Sequence, residues 1–189
     1  GERDFSRTMV DASPAFFVAI DVKGKTLRMN RAMLDALGYT AEEVEGTDYI
    51  RVFVPENERK SVEDIFRRLV EKPDPTYSEN HVMTKDGRPL LVEWHGRPVL
   101  DADGKFDYLV RFGVDVTEHR RAKKELEESE ARYRLLATAA QQATEGILIT
   151  DTERIVRHVN PAFERITGYP ADEVVGKPSE YVNSREHPE

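Results

Sequence analysis

Shifted by 130 residues, the chain falls back onto itself. Asp21 lands on Asp151, Asn30 on Asn160, Ala32 on Ala162 and Gly38-Tyr39 on Gly168-Tyr169. Ala41 lands on Ala171, Glu43-Val44 on Glu173-Val174 and Gly46 on Gly176. The nine identities keep one ungapped register, the mark of a repeated structural unit. The last of the 189 residues, Glu189, matches Arg59 of the first copy, so the second copy is short. The sequence therefore predicts one whole domain at 1–118, a connector at 119–140, and the N-terminal part of a second domain at 141–189. The chain begins with Gly1, and it reads as a segment of a longer protein.

The first copy reads as two strands, three helices and three strands. Phe16–Asp21 is a strand by its β-rich content, Asp21-Val22-Lys23-Gly24 a turn, and Thr26–Met29 a second strand. Asn30 reads as an N-cap, Arg31–Leu37 as a helix and Gly38 as its C′ residue. Thr40-Ala41-Glu42-Glu43 is a capping box for a short helix that stops at Gly46. Pro55 opens a longer helix, with Val62, Ile65, Phe66 and Leu69 at i, i+3, i+4, i+7. Tyr77–Thr84, Leu90–Leu100 and Phe106–Val116 follow as strands joined at Asp86-Gly87 and Asp103-Gly104, a strong hairpin signal. Alternation predicts that Leu90, Val92 and Trp94 share one face, and that Phe106, Tyr108, Val110, Phe112 and Val114 share another. The fold class is α+β: one curved five-stranded antiparallel sheet with helices over one face, then a long connector helix and a truncated repeat.

Composition removes several classes of function. With 36 acidic and 28 basic residues the net charge is −8, against the basic surface that nucleic acid needs. The longest apolar run, Ala15–Ile20, has six residues, whereas a spanning helix needs about 20. No nucleic-acid partner and no membrane contact are expected, and the expected location is cytoplasmic. Without cysteine there are no disulfides, thiolate nucleophiles or Cys-ligated metals. P-loop, G-x-S-x-G, H-E-x-x-H and G-x-G-x-x-G motifs are missing, so no enzymatic activity and no catalytic residue is expected. His81, His95, His119, His158 and His187 are scattered rather than at ligand spacing, and no metal is expected.

The ordered set Asp21…Gly24, Asn30, Gly38-Tyr39-Thr40-Ala41-Glu42-Glu43-Val44…Gly46, Lys85-Asp86-Gly87 and Asp115-Val116-Thr117 resembles the PAS (sensory box) family. Asp115-Val116-Thr117 is similar to the family's D-[IV]-T signature at the exit of the final strand. The resemblance covers 5–118 as a complete domain and about 133–189 as a partial one. It implies a sensory module of a bacterial or archaeal signalling protein, upstream of a histidine kinase or a GGDEF-type cyclase. Haem-binding members place a His on the long central helix, and Pro55–Lys72 has none. Cys-linked flavin is excluded. A non-covalent flavin stacked on Trp94, or a small organic ligand, stays open. Met29, Met33, Phe66, Trp94 and Phe112 are the candidate pocket, and core packing explains the same residues equally well.

The connector has no Pro or Gly. With heptad position a at His119, the a and d positions are His119, Ala122, Leu126, Ser129, Tyr133, Leu136 and Ala140. Ala122, Leu126, Tyr133 and Leu136 would form the seam of a parallel homodimeric coiled coil, against an ordinary amphipathic helix packed on its own domain. The basic run His119–Lys124 is balanced by acids four residues on, which reads as a solvated face rather than an anion site. Two functions follow. In one, a ligand, redox or partner signal biases the sheet and leaves through Asp115 and Thr117, with Asp115 holding the junction and Thr117 capping the helix. It would travel along the connector to a C-terminal output domain of the same polypeptide. In the other, the chain is a ligand-free dimerisation scaffold.

Overall fold

Residues 8–183 are described by the structure, a computed structural model. His187 and the sequence expectations for 1–7 and 184–189 lie outside them. The described residues form two compact units that part between Ala122 and Lys123.

The first described residues of this unit, 8–12, are helical (α1). β1 (Phe16–Asp21) and β2 (Thr26–Met29) form a hairpin. Its turn is tied by Asp21 Oδ1, which accepts from the Lys23 and Lys25 amides, both at 2.8 Å. α2 (Arg31–Leu37) starts at Asn30 and ends at Gly38 in the left-handed region. α3 (Ala41–Val44) carries the full Thr40/Glu43 capping box. A helix that sequence reading did not anticipate follows, α4 (Tyr49–Phe53), whose N-cap Asp48 accepts from the Arg51 amide. α5 (Glu56–Glu71) is the long helix. β3 (Thr76–Met83), β4 (Pro89–Leu100) and β5 (Phe106–Asp115) complete the unit.

The sheet is antiparallel in the order β2-β1-β5-β4-β3. β2 and β3 are its two edges, so the helices between them in sequence must carry the chain from one edge to the other. The core lies between that helical layer and the sheet. Val18, Ile20, Met29, Met33, Leu37, Val44, Tyr49, Phe53, Val82, Val92 and Trp94 are buried there. Each large apolar side chain so buried stabilises by about 1.5–3 kcal/mol.

The predicted face of β5 is inverted over most of its length. Leu100 pairs with Phe106 and Val99 with Tyr108, so Asp107 is an extra residue in the ladder. A bulge of this kind flips every side chain beyond it. Phe106 is buried, but past Asp107 the buried residues are Leu109, Arg111 and Gly113. Phe112 and Val114 are exposed on the outer face instead. The alternation of Leu90, Val92 and Trp94 stands, with Val92 and Trp94 fully buried.

The second unit receives α6 (Thr117–Gln142) and adds β6 (Leu148–Thr150), β7 (Val156–Val159), α7 (Pro161–Thr167), α8 (Ala171–Val174) and α9 (Glu180–Asn183). Its small core is Val156, Val159, Phe163 and Val174, with Leu148, Tyr169 and Tyr181 against it. β6 and β7 form a two-stranded sheet. Ile149 stands where Ala19 stands in the first unit, and it is 49% exposed against 8%. β1 is flanked by β5, whereas β6 pairs only with β7 among the described residues. Arg154 replaces Gly24 and keeps the turn's positive φ, 63°.

Candidate functional site

Three places in the molecule combine unusual residues with a position that could matter: a cavity in the first unit, the root of α6, and a buried asparagine repeated in both units.

The cavity lies between the inner face of the sheet, α4 and α5. Its volume is about 20 Å³, room for about one water. Ile20, Val62, Ile65, Phe66, Leu69 and Leu109 supply apolar walls, and Tyr49, Ser78, Asn80 and Arg111 supply the polar ones. Arg111 is 5% exposed. It donates to Ser78 Oγ at 2.8 Å, and its guanidinium carbon lies 4.6 Å from the centroid of the Trp94 ring. Gly96 makes that reach possible. It pairs with Arg111 on one side and Thr76 on the other, and a Cβ there would run into Thr76 Oγ1. The bare backbone leaves Arg111 a path over β4 to β3. Two strand positions along, a Cβ on Gly113 would lie 2.6 Å from the Trp94 ring.

The cavity's electrostatics are uncompensated. The Tyr49 hydroxyl, Asn80 Oδ1 and Trp94 Nε1 are buried and have no hydrogen-bond partner among the described residues. Burial pushes the Tyr49 phenol up to about 12, with nearby Arg111 opposing. Burial also lowers the Arg111 pKa, with Tyr49 pulling the other way. Burying polar groups without partners is costly; of the three residues Tyr49 and Asn80 line the cavity, so the site can take a guest the size of a water that pairs with them.

Of the five pocket candidates, Phe66 alone lines this cavity. Trp94 lies beneath Arg111, while Met29 and Met33 pack in the main core. Phe112, 43% exposed, meets Phe17 edge-on at 5.3 Å on the opposite face. A flavin does not fit: the volume is far too small and the Trp94 face is covered by Arg111. No histidine lines the cavity to hold a haem iron. His81 turns to the edge of the sheet, where its Nδ1 lies 2.6 Å from Glu58 Oε1. Sequence reading missed Tyr49, Ser78, Asn80 and Arg111. The available signal was Arg111 itself, a charge in the middle of an apolar strand.

At the root of α6 the expected roles divide differently. The Asp115 carboxylate accepts from the Thr117 amide at 2.9 Å and its hydroxyl at 2.6 Å. Thr117 Oγ1 in turn accepts from the Leu91 amide of β4 at 2.8 Å. Asp115 thus holds the first residue of the helix, and Thr117 ties that residue to the sheet. Arg120, one turn on, donates to Glu79 of β3 at 2.7 Å and Glu93 of β4 at 3.1 Å. Those two glutamates are cross-strand partners, a repulsive pair that the guanidinium bridges.

The third place is Asn30. Its Oδ1 accepts from the amides of Phe17 and Met33, and its Nδ2 donates to the carbonyls of Val10 in α1 and Ala15. Asn160 repeats these four bonds: Oδ1 accepts from Ile147 and Phe163, and Nδ2 donates to Ala140 of α6 and Glu145. Both asparagines are fully buried. Each domain therefore grips an arriving helix by a backbone carbonyl, and α6 is the arriving helix of the second unit as well as the departing helix of the first.

No residue of α6 is buried. Of the seam candidates Ala122 is exposed, Leu126 and Leu136 are each 61% exposed, and Tyr133 is 75% exposed. Leu135, outside the seam, is also exposed. Lys124 and Glu128 form one of the expected i,i+4 pairs at 3.8 Å. No helix among the described residues is long and apolar enough to cross a membrane, and no cluster of residues there could hold a metal ion.

A sequence model described as PAS fold matches residues 10–121, more than half of the chain, and a second one matches 134–188. The chain belongs to the PAS family. It is similar to the biofilm dispersion protein BdlA of Pseudomonas aeruginosa, 28% identical over 143 residues that cover 75% of this chain and 31% of BdlA. It is similar to the virulence sensor protein BvgS of Bordetella parapertussis, 27% identical over 160 residues that cover 83% of this chain and 12% of BvgS. The chain thus spans under a third of the length of these relatives. A crystal structure of a PAS domain from Colwellia psychrerythraea superposes with a TM-score of 0.57 at 16% identity, covering 62% of this chain and 99% of that one.

Proposed function

We propose that this chain is a sensory and relay segment of a larger signalling protein. An occupant of the first unit's cavity would bias the sheet, and α6 would pass the change to the next domain and to an output domain of the same polypeptide. One observation carries this reading. The cavity and the root of α6 use opposite faces of the same two strands. Ser78 and Asn80 face the cavity from β3, while Glu79 between them holds Arg120. Trp94 lies under Arg111 on β4, while Glu93 and Leu91 of that strand hold Arg120 and Thr117. A shift of either strand must move the base of the helix. BvgS is a sensor by name, which agrees with this reading.

The reading is tested by amide hydrogen exchange on the full chain. Tyr49→Phe, which alters the cavity and touches nothing at the helix root, should change protection at 117–122 as well as in β3 and β4. Altered exchange in β3 and β4 with none in α6 would refute the relay. A ligand-free scaffold is the second reading, favoured by the small volume of the cavity.

Both readings include parallel self-association of α6 through Ala122, Leu126, Tyr133 and Leu136, because their apolar surface is exposed in the single chain. Removing a large seam residue costs about 2–5 kcal/mol if it is buried by a partner. Leu126→Asp or Leu136→Asp should turn a dimer into a monomer in sedimentation velocity with circular dichroism unchanged. A monomeric wild type at high concentration, or dimers in both variants, would sink this part.

A further inference from the structure

We propose that the outer face of the first unit's sheet is a contact surface for a second copy of this chain, sheet against sheet, with the strands of the two copies running in opposite directions. The inference does not depend on the sensory reading.

An antiparallel sheet with one face in solvent alternates apolar-in and polar-out. β5 does not. Past the bulge at Asp107 its inner positions are Leu109, Arg111 and Gly113, and its outer ones are Tyr108, Val110, Phe112 and Val114. The register sets Phe112 opposite Phe17 of β1 on one side and His95 of β4 on the other, and His95 opposite Tyr77 of β3. Four rings therefore stand in one row across four strands. Phe17 meets Phe112 at 5.3 Å between centroids, and Tyr77 meets His95 at 5.1 Å. Tyr77 is nonetheless 62% exposed and Val114 54%. Apolar surface gathered on one face in this way marks a site of association.

The charges beside the row say what the partner is. Arg97 lies two residues from His95 along β4 in one direction, and Glu93 two residues in the other. Arg97 is exposed and has no hydrogen-bond or ion-pair partner among the described residues. A two-fold contact must make one patch complementary to itself. With the axis along the row of rings, each ring meets its own counterpart. Val110 then meets the second copy's Val114, and Arg97 meets the second copy's Glu93, each pair occurring twice. With the axis along the strands, between β4 and β5, Arg97 would face Val110 and Glu93 would face Val114. That would bury charge against hydrocarbon. The face is thus complementary to itself in the first arrangement and not in the second.

The face amounts to roughly 400–600 Å² per copy from its strand spacing and rise, the low end of specific interfaces. The expected Kd is on the order of 0.1 mM, well above the concentrations at which a coiled-coil seam is read. Thr117, the root of α6, lies five residues past Phe112, so the axis sets the two roots about 30 Å apart. A parallel seam holds its helices about 10 Å apart. The sheet contact and the α6 seam therefore join different pairs of chains.

The test is sedimentation velocity of the full chain carrying Leu126→Asp, which removes the seam, over roughly 0.01–1 mM protein. A monomer–dimer equilibrium should appear in the upper decade. Phe112→Asp in that background should weaken it more than about tenfold, by burying a charge among the rings. Arg97→Glu and Glu93→Arg should each weaken it about tenfold by setting like charges face to face. An equimolar mixture of those two should associate again, because every facing pair is then opposite in sign. Circular dichroism and Trp94 emission check folding. Glu93 also holds Arg120; should Glu93→Arg not fold, Val110→Glu mixed with Val114→Lys decides in the same way. A Leu126→Asp chain that stays monomeric at about 1 mM would overturn the contact. So would undiminished association of Phe112→Asp, or a mixture no stronger than its parts. Association of Leu126→Asp as strong as that of the wild type would support the sheet contact and refute the seam.

Discussion

Asn30 offers the sharpest test of how the first unit is held together. The test compares Asn30→Ser with Asn30→Ala. Serine is as good an N-cap as asparagine, so it keeps the bond to the Met33 amide at the start of α2. It is too short to reach the Phe17 amide or the carbonyls of Val10 and Ala15, which Asn30 bonds at 3.0, 3.0 and 2.9 Å. Each net hydrogen bond is worth about 0.5–1.5 kcal/mol, and here the site is fully buried, so water cannot replace them freely. Asn30→Ser should therefore cost about 2–4 kcal/mol. Asn30→Ala loses the cap too and should cost about 1 kcal/mol more. These are large fractions of the 5–15 kcal/mol typical of a domain. The assay is urea unfolding followed by Trp94, the single tryptophan of the chain. With a slope of about 2 kcal/mol per molar, the midpoint should fall by about 1–2 M for the serine variant. A serine variant within about 0.5 kcal/mol of wild type would show that Asn30 is only a helix cap, and the grip on α1 would be wrong.

Three further outcomes are expected. Gly113→Ala should cost about 1–3 kcal/mol by overpacking, because the new methyl would lie 2.6 Å from the Trp94 ring; urea unfolding with Trp94 emission reads it, and a neutral effect would mean the ring has room to move. Arg154→Gly should stabilise the second unit by about 1 kcal/mol, since Arg154 holds a left-handed φ of 63° that glycine adopts freely; far-ultraviolet circular dichroism on thermal unfolding checks it, and a loss of stability would show that the arginine side chain matters more than the backbone. Arg120→Ala should leave global stability nearly unchanged, as an exposed ion pair, yet should speed amide exchange in the first turns of α6, because Glu79 and Glu93 would be left facing each other beneath them; unchanged exchange there would remove Arg120 from the junction.

Most of the first unit was legible because its boundaries are set by local chemistry. The cap bond of Asn30 to Met33, the turn at Gly38 and the Thr40/Glu43 box each act within four residues, and each marks the end of a helix where the sequence predicts it. α4 escaped because its signal is only Asp48 before a five-residue run, too short to show a period. The face of β5 was lost to a single residue. Asp107 looks like any polar position in an alternating strand, and only the pairing of Val99 with Tyr108 reveals it as a bulge. That one error moved Phe112 into the predicted pocket and kept Arg111 out of it. Tyr49, Asn80 and Arg111 meet through tertiary packing from three elements, and no spacing in the sequence announces such a meeting. The seam of α6 was readable as a pattern, whereas what covers it is a property of assembly.

Asn30 and Asn160 take hold of main-chain carbonyls, those of Val10 and Ala140, and never of side chains. Any helix that presents a carbonyl at that turn can be received, whatever its sequence. The block 13–142 is then a self-joining cassette. Spliced in a second time after Gln142, it keeps the reading frame of the joint. The Asn30 of the inserted copy would meet the carbonyl of Ala140 where it now meets that of Val10, and its own Ala140 would be offered to Asn160 as before. Chains of such cassettes can grow by plain duplication, with each new joint already fitted on the day it arises and free to drift in sequence afterwards.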